Sequence, residues 1–169
     1  DPSELQRFID HAHRLFDTSQ VSEITAEMNP DDITAKYVKA LRSTDVNRIS
    51  LGVQSFDEGA LRLMNRRHTA QEAVDAVRRA QAVGFENITI DLIFGVPGFC
   101  GDSLRRSIDQ ALDLGVQHIS AYLLSIEPNT RFGKMAERGE LIPIDDEEAQ
   151  AAYLLMHSRL TEAGFDHYE

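Results

Sequence analysis

Four apolar stretches of this chain each run into polar residues that can bind or catalyse. Ile24-Thr25-Ala26 leads to Glu27, and Ile49-Ser50-Leu51-Gly52-Val53 leads to Gln54. Ile88-Thr89-Ile90 leads to Asp91, and Ala121-Tyr122-Leu123-Leu124 leads to Ser125 and Glu127. Carboxylates accept hydrogen bonds from hydroxyl and ammonium groups, and a carboxamide donates and accepts. Taken singly, each residue reads better as a strand-end cap or ion-pair partner. Their shared placement makes them a candidate site. Asp91 is the strongest case, because Ile90, Leu92 and Ile93 around it are all apolar. A carboxylate there has to be hydrogen-bonded in the core or aimed at a ligand. Arg66-Arg67 follows the short helical stretch after Gln54. Adjacent arginines usually form a solvated face, but one of them can clamp a carboxylate through two parallel hydrogen bonds. Arg48 lies inside a strand and reads as structural.

Other chemistry-bearing residues carry less. His11 and His13 share a helix two residues apart, hence on different faces. His68, His118, His157 and His167 are scattered, with no metal-ligand spacing on one element. Cys100 follows a glycine turn and lacks a neighbouring histidine or basic cluster to activate it. Gly95-Val96-Pro97-Gly98 has neither a Gly-Lys-Ser/Thr nor a dinucleotide fingerprint, so it reads as the sharp turn after a strand. No Ser or Cys occupies a nucleophile elbow.

The elements that must position these residues follow from periodicity. Leu5, Phe8, Ile9, Ala12, Leu15 and Phe16 fall at helical spacing and predict an amphipathic opening helix. Strands are predicted at 23–27, 47–53, 87–93 and 118–124. Helices are predicted at 34–43, 57–65, 70–83, 102–114, 131–138 and 145–163. Thr69-Ala70-Gln71-Glu72 is a capping box for the helix at 70–83, and Gly84 ends it. The helix at 34–43 has no terminal glycine, and Asp45 is assigned the left-handed position instead. Phe165 to Glu169 reads as the start of a further strand. Alternating strands and helices predict a parallel sheet with right-handed crossovers. In such a sheet the carboxyl ends of all strands reach one face, where ligands bind. Glu27, Gln54 and Asp91 are therefore expected to open into one cleft at the carboxyl edge.

Composition narrows the class. The chain has 169 residues, 42% of them hydrophobic, as in one soluble globular domain. A formal net charge of -11 argues against a broad basic surface for nucleic acid or anionic lipid. No apolar run approaches the roughly 20 residues of a membrane span. A single cysteine excludes an internal disulfide and a multi-cysteine metal site within the chain, and suggests a reducing, cytoplasmic setting.

Several segments, in this order, resemble one family. They are Glu27-Met28-Asn29-Pro30, Val46-Asn47-Arg48-Ile49-Ser50-Leu51-Gly52-Val53-Gln54-Ser55-Phe56, Asp91-Leu92-Ile93-Phe94-Gly95-Val96-Pro97 and Ile126-Glu127-Pro128-Asn129-Thr130. They look like the radical S-adenosylmethionine proteins of the oxygen-independent coproporphyrinogen III oxidase type. Asn29-Pro30, the Ile126–Thr130 loop and His167-Tyr168-Glu169 place the resemblance nearer the heme chaperone branch. It covers nearly the whole chain, and the Val53–Phe56 and Asp91–Pro97 runs are its specific parts.

The resemblance implies an α/β fold, a partial (β/α) barrel of mostly parallel strands with helices outside. Residues 1–169 are then a single domain, the central part of that barrel. The family's N-terminal cluster segment, with its Cys-x3-Cys-x2-Cys motif and Gly-Gly-Thr-Pro run, and its C-terminal domain are expected outside it. The implied cofactors are S-adenosylmethionine and, in the intact parent, a [4Fe-4S] cluster whose ligands are elsewhere; this chain is assigned no metal ligand. The implied cargo or substrate is heme or a porphyrin, with a heme-acceptor protein as a partner of the chaperone branch. Glu27, Gln54, Arg66 and Asp91 match family residues that contact S-adenosylmethionine, and Ser125 lies where backbone groups meet adenine. An oxidase would remove two propionate carboxyls as CO2 by 5′-deoxyadenosyl radical chemistry, whereas a chaperone would deliver heme without that turnover. Two other readings are a non-catalytic carrier or interaction domain, and an unrelated βα-barrel enzyme using Glu27 and Asp91 as acid and base.

Overall fold

Period-two alternation decides the sheet. In the computed structural model, which describes residues 1–168, Ile49, Leu51 and Val53 are fully buried while Arg48, Ser50 and Gly52 are only partly covered. Apolar side chains on alternate positions suit a pleated surface pressed on helices from one side. The chain runs α1 (Pro2–Leu15), β1 (Thr25–Met28), a short 3-10 turn (Pro30–Asp32), α2 (Ala35–Leu41), β2 (Arg48–Gln54), α3 (Glu58–Leu63), α4 (Ala70–Ala82), β3 (Asn87–Phe94), α5 (Asp102–Asp113), β4 (His118–Leu123), α6 (Arg131–Glu137) and α7 (Asp146–Glu162). All three strand pairings are parallel, in the order β1-β2-β3-β4.

Register sorts the strand residues into two faces. Ala26 pairs with Ile49, Ile49 with Ile88, Leu51 with Ile90, and Ile90 with Ile119. This face joins one core with Val38 and Leu41 of α2, Ala73, Ala76, Val77 and Ala80 of α4, and Leu104, Ile108 and Ala111 of α5. The alanines of α4 let that helix lie close on the strands. Its start is fixed by the expected capping box, in which Glu72 N–H donates to Thr69 Oγ1 and Thr69 N–H donates to the Glu72 carboxylate. The opposite face is polar. Glu27 pairs with Ser50, Ser50 with Thr89, and Thr89 with His118, so one row crosses all four strands. Asp91 and Ser120 pair two residues further on.

Three local expectations are corrected. Asp45 is not in the left-handed region; α2 unwinds through bonds from Ser43 N–H to Ala40 O and from Thr44 N–H to Leu41 O. Asp45 instead exchanges two hydrogen bonds with the Gln6 carboxamide, at 2.7 and 2.8 Å. The opening helix forms, with Ile9 in the core and Leu5 packed against it, but Phe8, Leu15 and Phe16 stay exposed. Residues 165–168 form no ladder, because Phe165 N–H closes back on Leu160 O at the end of α7; Glu169 lies outside the described residues.

Candidate functional site

Glu27, Gln54 and Asp91 share the open, polar face of the sheet. Glu27 and Asp91 project from within β1 and β3, since β3 continues to Phe94. The expected cleft is therefore a groove across this face, and only Gln54 stands at a strand's last position. Asp91 is partly buried, and its carboxyl is raised above the ordinary range. Burial is the main cause; the hydroxyl of Ser120 opposes it, the negative charge of Glu27 adds to it, and His118 and Ser50 act weakly against it. The repulsion from Glu27 is the electrostatic signature of two carboxylates facing one space.

Gln54 is brought to the same face by strain. It has φ of 69°, and Ser55 N–H donates to Val53 O at 2.9 Å. This γ-turn with positive φ is rare, and holding a non-glycine residue there costs on the order of 1–3 kcal/mol. The β2–β3 register slips between Leu51 and Gln54, a bulge that re-aims the side chain. The re-aimed carboxamide lies over Gly52: a Cβ there would stand 2.8 Å from Gln54 Nε2 and 3.8 Å from Asn29 Oδ1. Only a glycine leaves room for this fold-back.

The two arginines separate. Arg67 pairs with Asp31 at 2.7 Å. Arg66 is partly buried, and its backbone N–H bonds to Leu61 O where left-handed Asn65 ends α3. Among the described residues its guanidinium has no hydrogen-bond or ion-pair partner. Arg48 is structural as expected: it donates to Thr89 Oγ1 and pairs with Glu23 at 2.8 Å. Ser125 is exposed just beyond β4, where its hydroxyl donates to Glu127. The Cys100 thiol is pushed up to about 11, first by burial and then by Glu148, so it is no nucleophile at neutral pH.

Sequence reasoning missed Ser50, Thr89, His118 and Ser120. They line the polar rows only through pairing across strands, a non-local property. It also dismissed His68, which is buried with 3% exposure and bonds through Nε2 to Val53 O at 2.9 Å. A cavity of about 630 Å³ lies between β4 and α7 and touches the polar rows at His118 and Ser120. Its other walls include Tyr153, His157 and His167, whose rings stack or meet edge to face. Its lining is mainly aromatic and aliphatic, so the carboxylate-bearing groove remains the better site for a polar ligand.

The profile of the Radical SAM superfamily matches residues 2–111. The chain belongs to the radical SAM superfamily. It is 37% identical over 168 residues to the heme chaperone HemW of Bacillus subtilis, covering 98% of this chain and 44% of that relative. It is 35% identical over 165 residues to Escherichia coli HemW, covering 98% and 43%. The chain thus spans less than half the length of these curated relatives. Among solved structures it resembles the E. coli coproporphyrinogen III oxidase HemN, a radical SAM enzyme, with TM-score 0.83, 22% identity and coverage of 98% and 38%. Elp3 of Methanocaldococcus infernus follows the same backbone at TM-score 0.70, 23% identity and coverage of 80% and 32%. These likenesses establish the fold as the partial α/β barrel of the radical SAM type.

Radical SAM membership implies S-adenosylmethionine and a [4Fe-4S] cluster. The groove suits the first: two carboxylates and a buried carboxamide over a glycine cradle match its ammonium and diol. It does not fit the second. Among the described residues no three His, Cys, Asp or Glu side chains gather as ligands, and Cys100 is the chain's one thiol.

Proposed function

We propose that this chain supplies the S-adenosylmethionine-binding sheet of a cytoplasmic heme-handling protein of the heme chaperone type. The observation that carries the reading is Asp91, a carboxylate crowded by Glu27 on an open, polar sheet face above an apolar core. Such a group is stabilised by a ligand that donates hydrogen bonds to it. In this reading Arg66 takes the ligand's carboxylate, Asp91 or Gln54 the ribose diol, Glu27 the remaining donors, and backbone near Ser125 the adenine. Bound, the cofactor supplies the one-electron chemistry of the superfamily. The chain's own part is to bind it, orient it and hold its charged groups. Heme or a porphyrin is the cargo or substrate, and a heme-accepting protein is the partner; likeness to two HemW proteins supports both. No described helix is long and apolar enough to cross a membrane.

The groove reading is checked at Gly52. Gly52→Ala places a methyl against the mobile end of Gln54, so the amide moves and the backbone is spared. The expected result is a several-fold weaker S-adenosylmethionine affinity by isothermal titration, with the melting temperature nearly unchanged. Equal affinity would remove Gln54 from the site. The choice of function is checked on the full-length protein with two assays, heme transfer to an apo-acceptor and anaerobic decarboxylation of coproporphyrinogen III. Transfer without decarboxylation is expected; turnover of the porphyrinogen would assign it to the oxidases.

A further inference from the structure

We propose that His68 is a positioning residue that locks Gln54 and Arg66 into one binding geometry. This rests on the S-adenosylmethionine reading of the groove. His68 is buried, and Val53 O can only accept, so Nε2 carries the proton and donates at 2.9 Å. The same carbonyl accepts Ser55 N–H in the strained turn around Gln54. A turn of this kind persists only where its surroundings over-determine it. His68 provides one side of that restraint. The other is a pair of buried serines: Ser107 Oγ accepts Phe56 N–H at 3.1 Å and contacts Ser55 Oγ at 3.2 Å, and Ser55 Oγ accepts Asp57 N–H at 3.0 Å.

His68 is itself rigidly placed. Arg66 N–H bonds Leu61 O at the end of α3, the capped Thr69 opens α4, and Arg67 ties the connection to Asp31. The imidazole therefore fixes the distance between two backbones. One residue beyond its acceptor is Gln54, and two residues before it is Arg66. Without the ring's hydrogen bond, Val53 O loses the partner that resists extension of the turn. The carboxamide then swings off Gly52, and the Arg66 connection is freed from the strand end.

The test is S-adenosylmethionine titration of the full-length protein by calorimetry, with a melting curve for every variant. His68→Phe, which keeps a planar ring and loses the donor, is expected to weaken binding roughly tenfold. His68→Gln, whose amide nitrogen can reach the same carbonyl, is expected to restore most of the affinity. In a Gln54→Ala background, His68→Phe is expected to cost at most about threefold more, the residue of its effect on Arg66. Wild-type affinity in folded His68→Phe, or full tenfold additivity with Gln54→Ala, overturns the positioning role while leaving the groove reading intact. Absence of binding by the wild-type protein overturns the groove reading, and this inference with it.

Discussion

Asp91→Asn is expected to weaken S-adenosylmethionine binding while raising the stability of the empty protein at neutral pH. A carboxylate accepting from a diol loses a charge-assisted hydrogen bond on amidation, about 1.5–3 kcal/mol, or roughly tenfold to a hundredfold in affinity. The stability effect has the opposite sign. The Asp91 carboxyl is raised in the fold, mainly by burial. The folded state therefore holds its proton more tightly than the unfolded chain does. The stability that Asp91 contributes is fully present below its unfolded value and is lost as pH rises through its folded one. At pH 7 the wild type carries the ionised, crowded carboxylate and the amide variant does not. Melting curves from pH 4 to 8 should show Asp91→Asn gaining on the wild type as pH rises, while titration shows the lost affinity. A variant that melts lower at pH 7 and binds normally would make Asp91 a core hydrogen-bonding group.

Leu51→Ala is expected to give the largest loss of stability. Leu51 is fully buried in β2 between Met28 and Ile90. Its truncation removes transfer energy and leaves a cavity that flanking strands cannot close, at a cost of about 2–5 kcal/mol. Urea unfolding should show a lower midpoint with an unchanged slope. A loss under 1 kcal/mol would mean that the helix layer is loose enough to collapse into the gap.

What could be read from the sequence was whatever short-range chemistry decides. The Thr69–Glu72 capping box closes within four residues, so its outcome does not depend on the rest of the molecule. Asp91 stood out because its apolar neighbours are adjacent in the chain. The alternation of β2 and β3 exposed the core face directly. What escaped depends on partners distant in sequence. Ser50, Thr89 and His118 form a row only once register is set. His68 meets Val53 only because α3 folds back on the strand. The bulge at Gln54 is a compromise between β3 pairing and the following turn, and no local residue announces it. The strand expected from Phe165 lacks a ladder because pairing needs a partner as well as propensity. The assignment of Glu27, Gln54, Arg66, Asp91 and Ser125 to one ligand rests on family resemblance; the polar face shared by Glu27, Gln54 and Asp91 is its physical support.

Strand order in this sheet follows chain order. A ribosome releasing the chain therefore exposes each strand only after the neighbour it needs is already out. No strand has to insert between two that have paired, and none has to wait for a missing middle. The sheet can grow by accretion at one edge while synthesis proceeds at about 5–20 residues per second. The surface open to mispairing at any moment is then the edges of one sheet, instead of several loose strands.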